Sequence, residues 1–175
     1  MPQNDVVAHH FPVASFPIER ADLDMAVLEV GPGATAGVHL PAIPVSFNDQ
    51  VDGSRVLTVG FPSPEIAALS VDPQGSYLGA QFFLKSHANE GIVSAHYAAE
   101  GVQFYELNVG WHLGESGGPI VSLNDPLAAF SLMQHYRNIM SPHGVVAGPH
   151  RGRALSAIQQ ELTALGIGDA CSARY

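Results

Sequence analysis

The chain has 175 residues, and its 16 Asp plus Glu against seven Lys plus Arg give a formal charge of −9. That balance argues against nucleic acid and anionic membranes as partners, and no run approaches the 18 apolar residues of a membrane-spanning helix. Eighteen glycines and 13 prolines lie well above the average of roughly 12% for the two types together, so frequent turns are expected. The one cysteine, Cys171, excludes an intramolecular disulfide and is read as a tail residue.

Met1 to Asp5 has no basic region, and no apolar stretch follows. The chain as given is therefore expected in the cytoplasm; a true start further upstream would allow an export signal and a periplasmic or secreted location. Val6 to Phe11 reads as a strand with His9 and His10 on opposite faces, by the period of two. Asp22 and Asp24 precede the apolar run Met25 to Val30. Taken alone, Asp24 is a solvated carboxylate closing a loop before a buried strand.

Short apolar runs follow at Val56 to Phe61, Gln81 to Leu84, Ile92 to Tyr97 and Phe104 to Leu107. After the loop Gly114-Glu115-Ser116-Gly117-Gly118-Pro119 come Ile120 to Leu123, Ala128 to Met133 and Val145 to Ala147. Many short strands punctuated by Gly and Pro predict an all-β sandwich or barrel. From Arg151 to Leu165 the pattern changes. Leu155, Ile158, Leu162 and Leu165 recur at helical spacing and Gly166 supplies a stop, which predicts a C-terminal α-helix over 151–167.

The loop around Ser116 carries the chemistry. A Gly-x-Ser-x-Gly sequence also describes the nucleophile elbow of α/β-hydrolases, but that reading needs a helix directly after the serine and an Asp and a His downstream. Here Pro119 leads into a strand-like run and little chain remains. The hexapeptide instead resembles the nucleophile loop of trypsin-like serine peptidases. Asp22-Leu23-Asp24-Met25-Ala26-Val27-Leu28 resembles the Asp-Leu-Ala-Val-Leu strand that carries the orienting aspartate in bacterial members of that family, with Asp24 the match. Ser116 follows Asp24 by about 92 residues, against about 93 in the chymotrypsin triad. Val51 to Pro62 and Gly91-Ile92-Val93-Ser94 also resemble family strands, and the likeness covers roughly residues 20 to 165.

The resemblance implies a chymotrypsin-like double β-barrel with an incomplete first barrel and a C-terminal helix. It divides the chain into a partial first barrel over 1–72, a second barrel over 73–150 and the helix over 151–167. It implies Ser116 as nucleophile, Asp24 as the residue that orients a histidine, and the backbone N–H groups of Gly114 and Ser116 as the oxyanion hole. A polypeptide is the implied substrate. No cofactor is expected, and no metal either, since no His-x-x-x-His pair with a third ligand occurs. Oligomeric state is left open, although strands without partners expose edges that favour association.

One family feature is not visible. The triad histidine should precede the aspartate by about 45 residues, which places it before Met1. His9 and His10 stand too close to Asp24 to be more than weak candidates. The others, at 39, 87, 96, 112, 135, 143 and 150, are off the family position. His112 is expected to line the substrate cleft, and His135 to be a structural residue near the specificity pocket, whose walls fall at Asn108–Trp111 and Ser131–Ile139. Glu115 stands where animal enzymes have Asp and many bacterial ones Asn, which bears on how the loop is braced. Two readings follow: an N-terminally shortened serine endopeptidase, or a non-catalytic relative that binds peptides or acts as a scaffold.

Overall fold

Along β3, Arg55–Gly60, exposed Arg55 is followed by buried Val56, half-buried Leu57, buried Thr58, half-buried Val59 and buried Gly60. This alternation is what a strand with one face on a core demands. The computed structural model describes residues 11–31, 37, 42–62, 65–83, 85–110, 112–124 and 127–168. They fall into two units, Met1–Ala42 and Ile43–Tyr175.

In the first unit, β1 (Val13–Arg20) pairs antiparallel with β2 (Met25–Val30) through a 3-10 turn at Ala21–Leu23. Ile18, Leu23 and Met25 are its buried apolar residues. Arg20 grips Asp22 with two hydrogen bonds, of 3.0 and 2.8 Å, and this guanidinium holds the Asp22 carboxyl below its ordinary range. The pair is exposed and is not a source of much stability.

The second unit is built on a closed six-stranded barrel. Its strands are β3, β6 (His87–Ala99), β7 (Val102–Asn108), β8 (Pro119–Ser122), β9 (Ala128–Ser141) and β10 (Gly144–Ala154), in the order β10-β7-β6-β3-β8-β9 with β9 returning to β10. Between β3 and β6 the chain forms a separate hairpin, β4 (Glu65–Val71) and β5 (Tyr77–Phe83). The barrel is filled by Val56, Val93, Tyr105, Leu107, Val109, Ile120, Phe130, Met133 and Ala154. Tyr105 and Phe130 meet edge to face, with ring centroids 4.9 Å apart, a favoured aromatic geometry. The Tyr105 hydroxyl donates to Asp49 at 3.3 Å and accepts from the Gln50 N–H at 3.4 Å. Burial, with Asp49 alongside, pushes its pKa up to about 12.

All-β architecture with a C-terminal helix matches the expectation. The position of β3 does not. Expected in the same module as the aspartate strand, it is hydrogen-bonded within the barrel on both sides, to β6 and to β8. Residues 44–46 are tied to the barrel as well, at β9, since Ser46 N–H donates to the Ala129 carbonyl and Ala129 N–H to the Pro44 carbonyl, both at 2.8 Å. The helix is also shorter than expected. Arg151 to Ala154 continue β10, paired with β9 and, through Arg153, with β7. A 3-10 turn at Leu155–Ile158 then leads into α1 (Gln159–Ala164). Leu155, Ile158 and Leu162 are buried as the helical spacing predicted, whereas Leu165 is exposed. Among the described residues no helix is long and apolar enough to cross a membrane.

Candidate active site

The segment from His112 to Gly118 connects β7 to β8 and is fastened to the barrel through Gly117 and Gly118. Gly114 and Gly117 have φ of +99° and +84°, values that a side chain would make costly. The Gly117 N–H donates to the Met133 carbonyl at 2.7 Å, and the Gly118 carbonyl accepts from the Met133 N–H at 2.9 Å, fastening the loop to β9. Gly118 has no room for a Cβ, which would run into the Val59 carbonyl and the Met133 methyl.

Glu115 is the buried anchor, with 1% of its surface exposed. Its Oε2 accepts the His112 N–H at 3.0 Å, across the turn that the Glu115 N–H closes onto the His112 carbonyl at 3.3 Å. Oε1 has no hydrogen-bond partner among the described residues and faces His87 Nδ1 at 3.9 Å. The His87 ring meets the His112 ring edge-on, centroids 5.3 Å apart. From β10, His150 also feels the carboxylate. Burial holds the His150 pKa below the ordinary histidine range, and the Glu115 charge partly opposes that. A carboxylate this deeply buried is costly unless it is paired.

Ser116, one residue on, is exposed. Its Oγ donates to the Gln134 carbonyl at 2.5 Å. The loop's amides divide into two sets. Those of His112, Glu115, Gly117 and Gly118 are hydrogen-bonded, whereas among the described residues those of Gly114 and Ser116 make no hydrogen bond. Two uncommitted N–H donors beside an exposed hydroxyl can receive a developing negative charge.

Gly114 and Ser116 thus share one loop of the barrel unit, and Asp24 belongs to the other unit. Asp24 is exposed and caps the 3-10 turn in the left-handed region, φ 52° and ψ 44°, with its N–H on the Ala21 carbonyl at 3.2 Å. Asp tolerates that conformation better than most residues, so the loop-closing role read from the sequence is also met. His9, His10, His39, Trp111 and Cys171 lie outside the described residues, as does the side chain of His135. His96 pairs with Asp52 at 2.6 Å on the barrel surface. His143 sits exposed in the β9–β10 turn, its N–H on Ser141 Oγ at 3.2 Å. Among the described residues no group of three or more His, Cys, Asp or Glu side chains is arranged to hold a metal ion.

The family model of the trypsin-like peptidase domain matches residues 4–127. The chain belongs to the trypsin-like peptidase domain family. The match spans Asp24, the loop with Gly114 and Ser116, and the whole of β8, while β9, β10 and α1 follow it. A search of curated proteins found no match. The six-stranded barrel with one C-terminal helix is a chymotrypsin-like all-β arrangement, and the trypsin-like peptidase domain places the chain with peptidases of the chymotrypsin clan.

The sequence reading missed Glu115 as a fully buried group, and with it His87 and His150. Residue type gave one hint, the longer carboxylate in place of Asp or Asn. The histidines come from β6 and β10, distant in sequence, and only strand pairing gathers them.

Proposed function

We propose that this chain is a serine-type endopeptidase that hydrolyses polypeptides through an acyl-enzyme on Ser116. In this reading Ser116 Oγ attacks the scissile carbonyl and the oxygen that becomes negative is received by the N–H groups of Gly114 and Ser116. Asp24 orients and stabilises the histidine that takes the Ser116 proton, and water completes the cycle. The observation that carries the reading is the selective freedom of the Gly114 and Ser116 amides in a loop whose other named amides are committed.

A second reading is supported by the partner of the nucleophile. Ser116 Oγ donates to the Gln134 carbonyl, which accepts a hydrogen bond but is far too weak a base to take the proton that attack releases. A relative lacking its histidine would bind peptides and turn over slowly. Removing a triad member leaves roughly 10³- to 10⁴-fold acceleration over water.

A fluorophosphonate probe separates the two. The endopeptidase reading expects covalent labelling and peptide hydrolysis that are both lost in Ser116→Ala and strongly reduced in Asp24→Ala. Hydrolysis unaffected by Ser116→Ala would refute it. Stoichiometric peptide binding with labelling no faster than that of a free serine would favour the binding module.

A further inference from the structure

We propose that His87 is a positioning residue for the nucleophile loop: as an imidazolium it supplies the counter-charge for buried Glu115, which in turn holds the loop from His112 to Gly118. Its consequence for catalysis rests on the endopeptidase reading. The contact itself does not.

The argument starts from Glu115. The side chain is 1% exposed, and its Oε2 is used by the His112 N–H. Its Oε1 has no hydrogen-bond partner among the described residues, so an ionised carboxylate here needs positive charge close by. Among the described residues the titratable groups around it are His87 from β6, His112 from its own loop and His150 from β10. β3 presents Gly60, whose Cβ position lies against the Glu115 side chain. Among the histidines, His112 engages Oε2 through its backbone, and its ring lies edge-on to His87. Burial works against an imidazolium at His150. His87 has Nδ1 3.9 Å from the free oxygen and keeps 41% of its side chain exposed, so it can take up a proton from solvent and still face Oε1.

The loop is connected so that this matters. Glu115 lies between the two uncommitted amides, those of Gly114 and Ser116, and its own N–H and carbonyl close turns onto the His112 carbonyl and the Gly118 N–H. A Glu115 side chain that gives up the His112 N–H therefore loosens the turns that carry both donors. Acid that charges an imidazole favours the assembled loop, and neutral-to-alkaline solution weakens it, across the range in which histidines change charge.

Trp111 is the chain's one tryptophan and adjoins His112 in sequence, which gives a readout that needs no turnover. Its fluorescence is followed from pH 8.5 to 5 in the full chain. The wild type is expected to show a one-proton transition, lost in His87→Gln and in Glu115→Gln. His87→Lys, with a permanent charge, is expected to hold the low-pH signal throughout. An imidazolium beside an indole quenches it directly, so His112→Gln and His150→Gln are included, and both are expected to keep the transition. A transition that survives His87→Gln, or one lost only in His112→Gln or His150→Gln, overturns the proposal, as does a wild type without a transition. Should Glu115→Gln fail to fold by circular dichroism, His87→Gln and His87→Lys at the half-exposed position decide. An inert protein with the expected fluorescence behaviour would refute the endopeptidase reading and leave this one standing.

Discussion

Gly60→Ala tests whether the barrel sets the geometry of the His112–Gly118 loop. An alanine Cβ at position 60 would stand 2.8 Å from both Cβ and Cγ of Glu115 and 3.0 Å from its Cα, distances that nonbonded carbons do not tolerate. Glu115 cannot swing into solvent without giving up the His112 N–H. The strain must therefore appear as a shift of the loop backbone. Overpacking of a well-filled site costs about 1–3 kcal/mol, and alanine in place of glycine in a strand returns roughly 0.5–1 kcal/mol. A net loss of about 0–2.5 kcal/mol is expected by urea denaturation.

The functional effect should be larger than the loss of stability. A displacement of about 1 Å at a catalytic group costs on the order of 10²-fold in rate, so fluorophosphonate labelling of Ser116 should slow by about that factor under conditions where the variant is fully folded. Gly79→Ala in β5 is the control, because a Cβ there meets nothing within 4 Å, and it should leave labelling unchanged. Gly60→Ala with unaltered stability and labelling would refute the claim that Glu115 transmits barrel geometry to the loop.

Stability should fall in mild acid through His150: its folded pKa is lowered by burial, so below the ordinary value of about 6.5 the unfolded chain binds the extra proton and gains. Urea midpoints of the wild type between pH 8 and 5 should fall relative to those of His150→Gln, which isolates this contribution. Tyr105, whose pKa is raised to about 12 chiefly by burial, should act at the other end, with stability lost as pH rises past about 10, where unfolded tyrosines ionise. Absorbance titration should find a late phenol that is missing in Tyr105→Phe. That variant also leaves the Gln50 N–H without its acceptor, at a cost of about 1–3 kcal/mol if the group stays dry. Phe130→Ala, at a core position 2% exposed, should cost about 3–5 kcal/mol.

How much of this was legible in the sequence depends on the range of the interaction concerned. The Gly114–Pro119 loop was readable because its requirement is local: positive φ at Gly114 and Gly117 leaves a mark in residue type. Leu155, Ile158 and Leu162 were readable for the same reason. The extension of the helix back to Arg151 overrode a second local signal. Half-buried Arg151 and Arg153 alternate with buried Gly152 and Ala154, which is a strand's period of two. The placement of β3 was not legible, because its alternation says that it has a buried face and not which strands flank it. The surroundings of Glu115 were hidden for the same reason, since His87 reaches it only through the register that sets Gly60 opposite His87.

On the endopeptidase reading, the way the loop is held bears on what catalysis needs. Gly117 and Gly118 are tied to β9, Glu115 is packed against β3 and faced from β6, and the His112–Gly118 turns are closed by their own hydrogen bonds. A loop fixed on three sides keeps its free amides in place without help from a bound substrate, and such preorganised donors supply a large share of acyl-transfer catalysis. Proton transfer is a separate requirement, and the Gln134 carbonyl that holds Ser116 Oγ does not meet it. If the loop is preassembled and only the base is wanting, added imidazole should accelerate labelling of Ser116 in proportion to its concentration while leaving Gly60→Ala slow. Acceleration of Gly60→Ala up to the wild-type rate would show that the loop geometry does not limit labelling. No acceleration of the wild type would show that proton transfer is not what limits its labelling.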